Sequence, residues 1–212
     1  MDLLDPLPED PRVEGRVAAV VARLRALGPA PVLVAHGLAL PVAIRAAAAC
    51  PGARLVLANG PVRHLDPVTA ALARAAQVPG LLDRWLLHPT LALPWLASSA
   101  GLRRAVRNPY VMDRDTVVAI CGPTLSSPRQ RRAVRLYLQS LPAALRSTPV
   151  HRGPTLLIWG DEDALYPPTC VDEARMLLPA LEHHRVAGGR WLHPVERPWE
   201  LADQVDAWLT AG

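Results

Sequence analysis

The chain has 212 residues, half of them hydrophobic and a fifth charged, which suits one soluble globular domain with a sizeable core. Its net charge of +4 rests on arginine alone, because the sequence contains no lysine. The arginines are scattered, with close pairs only at Arg103-Arg104 and Arg131-Arg132, and no basic-aromatic motif accompanies them, which argues against a nucleic-acid surface.

Residues 12–27 show helical periodicity in Val13, Val17, Val20, Val21 and Leu24, and Gly28-Pro29 stops the helix. The segment Pro31-Val32-Leu33-Val34-Ala35-His36-Gly37-Leu38-Ala39 reads as a buried strand over 31–35, a sharp turn at Gly37, then a helix over 39–50. Arg54-Leu55-Val56-Leu57-Ala58 is a second apolar strand that closes at Asn59-Gly60-Pro61. Short all-apolar strands alternating with amphipathic helices imply a parallel sheet covered on both faces.

From Val62 to about Val150 the pattern is helical, broken by Pro67, Pro79, Pro89, Pro94, Pro109, Pro123 and Pro128, with no strand signal. Alternation then resumes with a strand at 155–159, a helix near 168–179, a strand at 181–186 and a helix at 198–210. Leu201, Val205, Trp208 and Leu209 give that last helix one apolar face.

Cys50, Cys121 and Cys170 are odd in number and far apart, so they read as small buried thiols rather than a metal or disulfide framework. Met1-Asp2-Leu3-Leu4-Asp5-Pro6 is acidic and proline-rich, unlike a secretory signal, and the cytoplasm of a bacterium is the expected location. Residues 31–50 are apolar, but Pro31, Gly37, Pro41 and Arg45 interrupt the run, so no membrane span is expected. No histidine pair has metal spacing with a nearby carboxylate, and neither metal nor cofactor is expected.

Two C-terminal motifs carry a family resemblance. Pro154-Thr155-Leu156-Leu157-Ile158-Trp159-Gly160-Asp161-Glu162-Asp163 resembles the strand and acid loop of the α/β-hydrolases, and Gly188-Gly189-Arg190-Trp191-Leu192-His193-Pro194-Val195-Glu196-Arg197 resembles their base loop. The likeness runs from about residue 12 to the end and is weak in the middle. It implies an α/β fold: a partial α/β-hydrolase of about four parallel strands flanked by helices, with residues 1–61 and 151–212 as core and 62–150 as an inserted helical cap.

By this resemblance Gly37 stands at the nucleophile position of the G-x-S-x-G elbow, with Ala35 and Ala39 at the flanking glycines. Asp163 takes the acid position and Arg190 the base position. Glycine has no nucleophilic atom, and arginine does not accept a proton at neutral pH. Loss of nucleophile or base costs on the order of a million-fold in rate. No catalytic residue is therefore expected.

The family's preceding strands and its His-Gly loop, which supplies an oxyanion amide, have no counterpart, and residues 2–8 read as a remnant of that loop. Strand 31–35 should consequently be a sheet edge, covered by a second copy or a separate subunit.

His36 and His193 belong to the family pattern and read as structural residues, with His36 also a candidate ligand contact beside Arg190 and Asp163. For Arg190 and Asp163 two readings stand: a neutralising ion pair, or an anion-recognition site under the cap. Trp85 and Trp95 lie in an apolar stretch that would line a ligand pocket or face a partner. The function expected is that of a degenerate, non-catalytic α/β-hydrolase-like protein, acting by assembly with a partner chain or by binding a small apolar or anionic ligand. The alternative is an α/β-hydrolase-superfamily enzyme (hydrolase, lyase or cyclase) that works only with a partner chain or by a non-serine mechanism.

Overall fold

The computed structural model describes residues 8–211; residues 2–7 of the expected loop remnant lie outside that range. Helix α1 (Val13–Ala26) leads into β1 (Val32–His36), a 3-10 turn (Gly37–Ala39) and α2 (Leu40–Ala48). Then come β2 (Arg54–Ala58), α3 (Pro67–Ala75), a π-helical turn (Leu81–Leu86) and α4 (Pro89–Leu96). Two 3-10 turns (Leu102–Ala105 and Pro109–Val111), α5 (Arg114–Ser126) and α6 (Pro128–Arg146) complete the helical run. The chain closes with β3 (Thr155–Gly160), α7 (Thr169–Leu177), β4 (Leu181–Val186), α8 (His193–Glu196) and α9 (Pro198–Ala211).

The four strands form one sheet in the order β1-β2-β3-β4, and every pairing is parallel. Ala35 lies beside Leu57 and Leu57 beside Leu157, so the register aligns the three apolar runs. Because strand side chains alternate between faces, Leu33, Ala35, Leu55, Leu57, Leu157 and Trp159 share one face. They meet Leu24 of α1, Ile44 of α2, Leu141 of α6 and Ala174 of α7 in the main core. Val56, Leu156, Ile158 and Val186 share the other face, under Trp208 of α9. Burying a residue such as Leu57 or Leu157, each fully inaccessible, stabilises the fold by about 2 kcal/mol.

β1 is a sheet edge among the described residues, as expected. Its Val34 is 57% exposed, while Val56 beside it is fully buried. The helices between β2 and β3 divide in two. α4 and α5 hold a small cluster of their own around Val106, Met112 and Val117, whereas Leu72 of α3 and Leu82 of the π-helical turn pack into the main core. α6 places Tyr137, Leu138, Leu141 and Leu145 in the main core. Its amphipathic face packs against α1 and α2 and also against α3 and the π-helical turn. No helix among the described residues is long and apolar enough to cross a membrane.

Candidate functional site

The site is assembled at the carboxyl ends of β1, β2 and β3 and from the loop after β4. Gly37 follows β1 directly and adopts φ +59, the left-handed region that suits glycine. Its amide donates to the Asn59 carbonyl at 2.9 Å. Gly60 must also be small: a Cβ there would come within 2.4 Å of the Gly37 carbonyl oxygen. The sharp strand-to-helix corner is thus intact, and it carries no side chain.

The space beside it is occupied. A Cβ placed on Gly37 would lie 2.9 Å from Cζ2 and 3.3 Å from Nε1 of Trp191. That indole comes from the loop after β4, one residue beyond Arg190. The His36 ring packs against it with centroids 5.4 Å apart. A 2.7 Å hydrogen bond joins His36 Nε2 to the Trp191 carbonyl oxygen, with the imidazole donating. Burial holds the His36 pKa below its ordinary value, and this hydrogen bond opposes the shift.

Asp163 is buried at 4% exposure, and its hydrogen bonds are made within its own loop and with Asn59, the residue after β2. Asn59 Nδ2 donates to Oδ2 at 2.6 Å; the amides of Leu165 and Tyr166 donate to Oδ1 at 2.8 and 3.2 Å. Asn59, itself fully buried, also accepts from the Gly160 amide at 2.8 Å. Burial raises the Asp163 pKa despite these three donors. The Tyr166 hydroxyl continues the network to Asp66, which caps α3 through the amides of Val68 and Thr69.

The expected Arg190–Asp163 ion pair is not formed. Arg190 Nη1 donates 3.1 Å to the Val106 carbonyl oxygen in the helical run, and the Leu192 amide donates to the Ala105 carbonyl. With Asn59 and two amides already on the carboxylate, Arg190 instead pins the base-position loop to the segment around residues 105–106.

His193 is 2% exposed. Its Nδ1 is 3.0 Å from the Arg190 carbonyl oxygen, which makes Nδ1 the donor and leaves Nε2 as a bare acceptor. Nε2 is buried with no hydrogen-bond partner among the described residues, as is Trp191 Nε1. Desolvation pushes the His193 pKa down to about 4, so the imidazole is neutral at physiological pH. Nearby, Cys170 is held protonated by burial and by Glu173 and Asp163, its pKa pushed up to about 11, which removes it as a thiolate nucleophile.

Trp85 and Trp95 are 67% and 43% exposed, on the outer side of the helical run rather than against the elbow. A cavity of about 330 Å³ lies between β3, β4 and α7, lined by Trp159, Asp161, Val171, His183 and Arg185, and shares no residue with the elbow. Among the described residues no group of three or more His, Cys, Asp or Glu side chains is placed to hold a metal ion.

Sequence reasoning missed Asn59 and Trp191. Asn59 was legible in part, as a polar residue directly after an all-apolar strand. Trp191 gave no sign, because its contact with Gly37 spans 154 positions and depends on where two loops meet.

No protein-family model and no curated protein matches the chain by sequence. Solved structures match it by shape. A thermophilic esterase from Thermogutta terrifontis has a TM-score of 0.71 at 20% identity, over 98% of this chain and 75% of that one. A haloalkane dehalogenase from Bradyrhizobium elkani has a TM-score of 0.70 at 18% identity, over 95% and 75%. A variant of an epoxide hydrolase from Bacillus megaterium has a TM-score of 0.59 at 20% identity, over 99% and 79%.

Proposed function

Because the chain has an α/β-hydrolase fold with glycine at the elbow, we propose that it is a non-catalytic member of that architecture, acting by binding or assembly. The observation that supports this reading is the Gly37–Trp191 contact. The corner that would present a nucleophile has no side chain, and an indole occupies the volume where one would project. Asp163 is engaged by Asn59 and loop amides instead of a basic partner, and Arg190 braces the helical run. Each triad position has a structural task in place of a catalytic one. In this reading the segment 62–150 serves as the cap, and Arg190 is its anchor.

Incubation of the full chain with a serine-directed fluorophosphonate and with ester, epoxide and haloalkane substrates tests it. No labelling and no turnover above buffer are expected. Turnover that Gly37→Ala leaves intact but Asp163→Asn abolishes would establish the alternative, an enzyme with a non-serine mechanism.

Assembly is favoured by a separate observation: β1 is hydrogen-bonded on one side only among the described residues, and it carries no charge to discourage pairing. In this reading a second polypeptide, a copy or a distinct subunit, adds a strand beside β1 and covers Val34. Sedimentation over a range of concentrations tests it, and a monomer throughout, in native extract as well as pure, overturns it.

A further inference from the structure

Outside the elbow, the exposed apolar surface is concentrated in the helical run between β2 and β3. The π-helical turn Leu81–Leu86 buries Leu82 and leaves Leu81 and Trp85 38% and 67% exposed. α4 packs Leu93 and Leu96 inward, while Leu91 and Trp95 are 55% and 43% exposed. Each outward pair is spaced four residues apart, so each helix presents an aliphatic and an indole side by side. Only Leu87 and His88 separate the two helices.

The one acidic residue of the π-helical turn, Asp83, is engaged by Arg135 at 3.4 Å, and the charge that follows it is of one sign. From Arg84 to Met112 the sequence contains four arginines and not one acidic residue. Arg84 precedes Trp85 and is exposed, as is Arg104. The 3-10 turn bearing Arg104 starts against the end of α4, where a Cβ on Gly101 would lie 2.3 Å from the Trp95 carbonyl oxygen.

We propose that this face docks the protein on an anionic lipid bilayer, with Trp85 and Trp95 at headgroup depth and the arginines against lipid phosphates. Tryptophan, with an apolar body and a polar N–H, settles at the boundary between headgroups and acyl chains, and flanking basic residues add attraction to anionic leaflets. Charge complementarity selects this occupant over a second copy. A symmetric dimer through the same face would set the exposed Arg84 and Arg104 against their own counterparts, and the neighbouring carboxylate, Asp83, is already paired with Arg135. The chain itself supplies a contrast: Trp199 is 81% exposed on α9, but Glu200, Asp203 and Asp206 follow it on that helix.

The test floats the full chain with vesicles of phosphatidylcholine, alone or mixed with phosphatidylglycerol. Binding is expected on the mixed vesicles only, and it should weaken as salt rises. Trp85→Ser with Trp95→Ser should lower it about ten-fold or more. Arg84→Gln and Arg104→Gln should each lower it about five-fold, and Trp199→Ser should leave it unchanged. Circular dichroism verifies that the variants fold. If the double tryptophan variant does not fold, brominated acyl chains must still quench the fluorescence of the unaltered protein. No binding to the mixed vesicles at low salt, no quenching, or equal binding by a folded double variant overturns the proposal. So does a double variant that dissociates a dimer of a chain that ignores vesicles, which would assign the face to a second copy.

Discussion

The indole of Trp191 stands where a side chain on Gly37 would project, with Cζ2 2.9 Å from the position of the missing Cβ. Gly37→Ser is therefore opposed twice, by φ +59 and by the indole. The backbone component costs about 1 kcal/mol for a residue with a Cβ, and the contact adds to it. Urea unfolding should show Gly37→Ser less stable by about 2 kcal/mol. In a Trp191→Gly background the same change should cost only the backbone component, so a double-mutant cycle should give a coupling of about 1 kcal/mol. Neither variant should hydrolyse esters. Full stability in the single variant would mean that Trp191 moves aside freely.

Asp163 and Asn59 stabilise the site as a pair. Asn59→Leu removes the donor to Oδ2 and the acceptor for the Gly160 amide, leaving a buried carboxylate short of partners. A loss of about 3 kcal/mol is expected in chemical denaturation. Burial raises the folded pKa of Asp163 above its unfolded value. The folded state then holds the proton longer, and this residue's contribution to stability declines as pH rises from about 3.8 through the folded pKa. Asp163→Asn should abolish that slope, and a slope that persists would assign it to another group.

His193 acts with the opposite sign. Its pKa falls from 6.5 to about 4 on folding, so the unfolded chain takes up a proton first as the solution is acidified. Its contribution is complete above pH 6.5 and is lost as pH falls towards 4, amounting to about 3 kcal/mol across that window. His36, also shifted down by burial, adds to the same trend. His193→Gln should flatten the stability profile between these limits, measured as the urea midpoint against pH. An unchanged profile would place the acid sensitivity elsewhere.

Val34 tests the open edge. At 57% exposure it contributes little to the fold of a single chain, so Val34→Asp should change unfolding stability by less than about 0.5 kcal/mol. The same change should shift any strand-paired assembly to monomer in sedimentation, because an edge charge opposes β pairing. If assembly survives with β1 amides still protected from hydrogen exchange, the partner reaches the strand by another route.

Arg190 is predicted to brace the helical run. Arg190→Ala removes its hydrogen bond to the Val106 carbonyl. Amide exchange around residues 102–106 should accelerate several-fold while β3 stays protected, consistent with local opening. Arg190→His with Gly37→Ser should not restore esterase activity, because Asn59 holds Asp163 and the indole fills the elbow.

The sequence by itself determined the four strands, their parallel pairing and the corner at Gly37, because these follow from local periodicity and from glycine's freedom at positive φ. It also determined what is absent, since no packing can give Gly37 a nucleophile or make Arg190 a base. The tertiary structure decided the partners. Asn59 rather than Arg190 meets Asp163, α6 joins the main core, and Trp191 fills the elbow, because each of these depends on how loops distant in sequence approach across the carboxyl end of the sheet. Alternation along a strand says which way a side chain points, whereas the choice of neighbour is made only when the whole chain competes for the same buried volume and the same few hydrogen-bond donors.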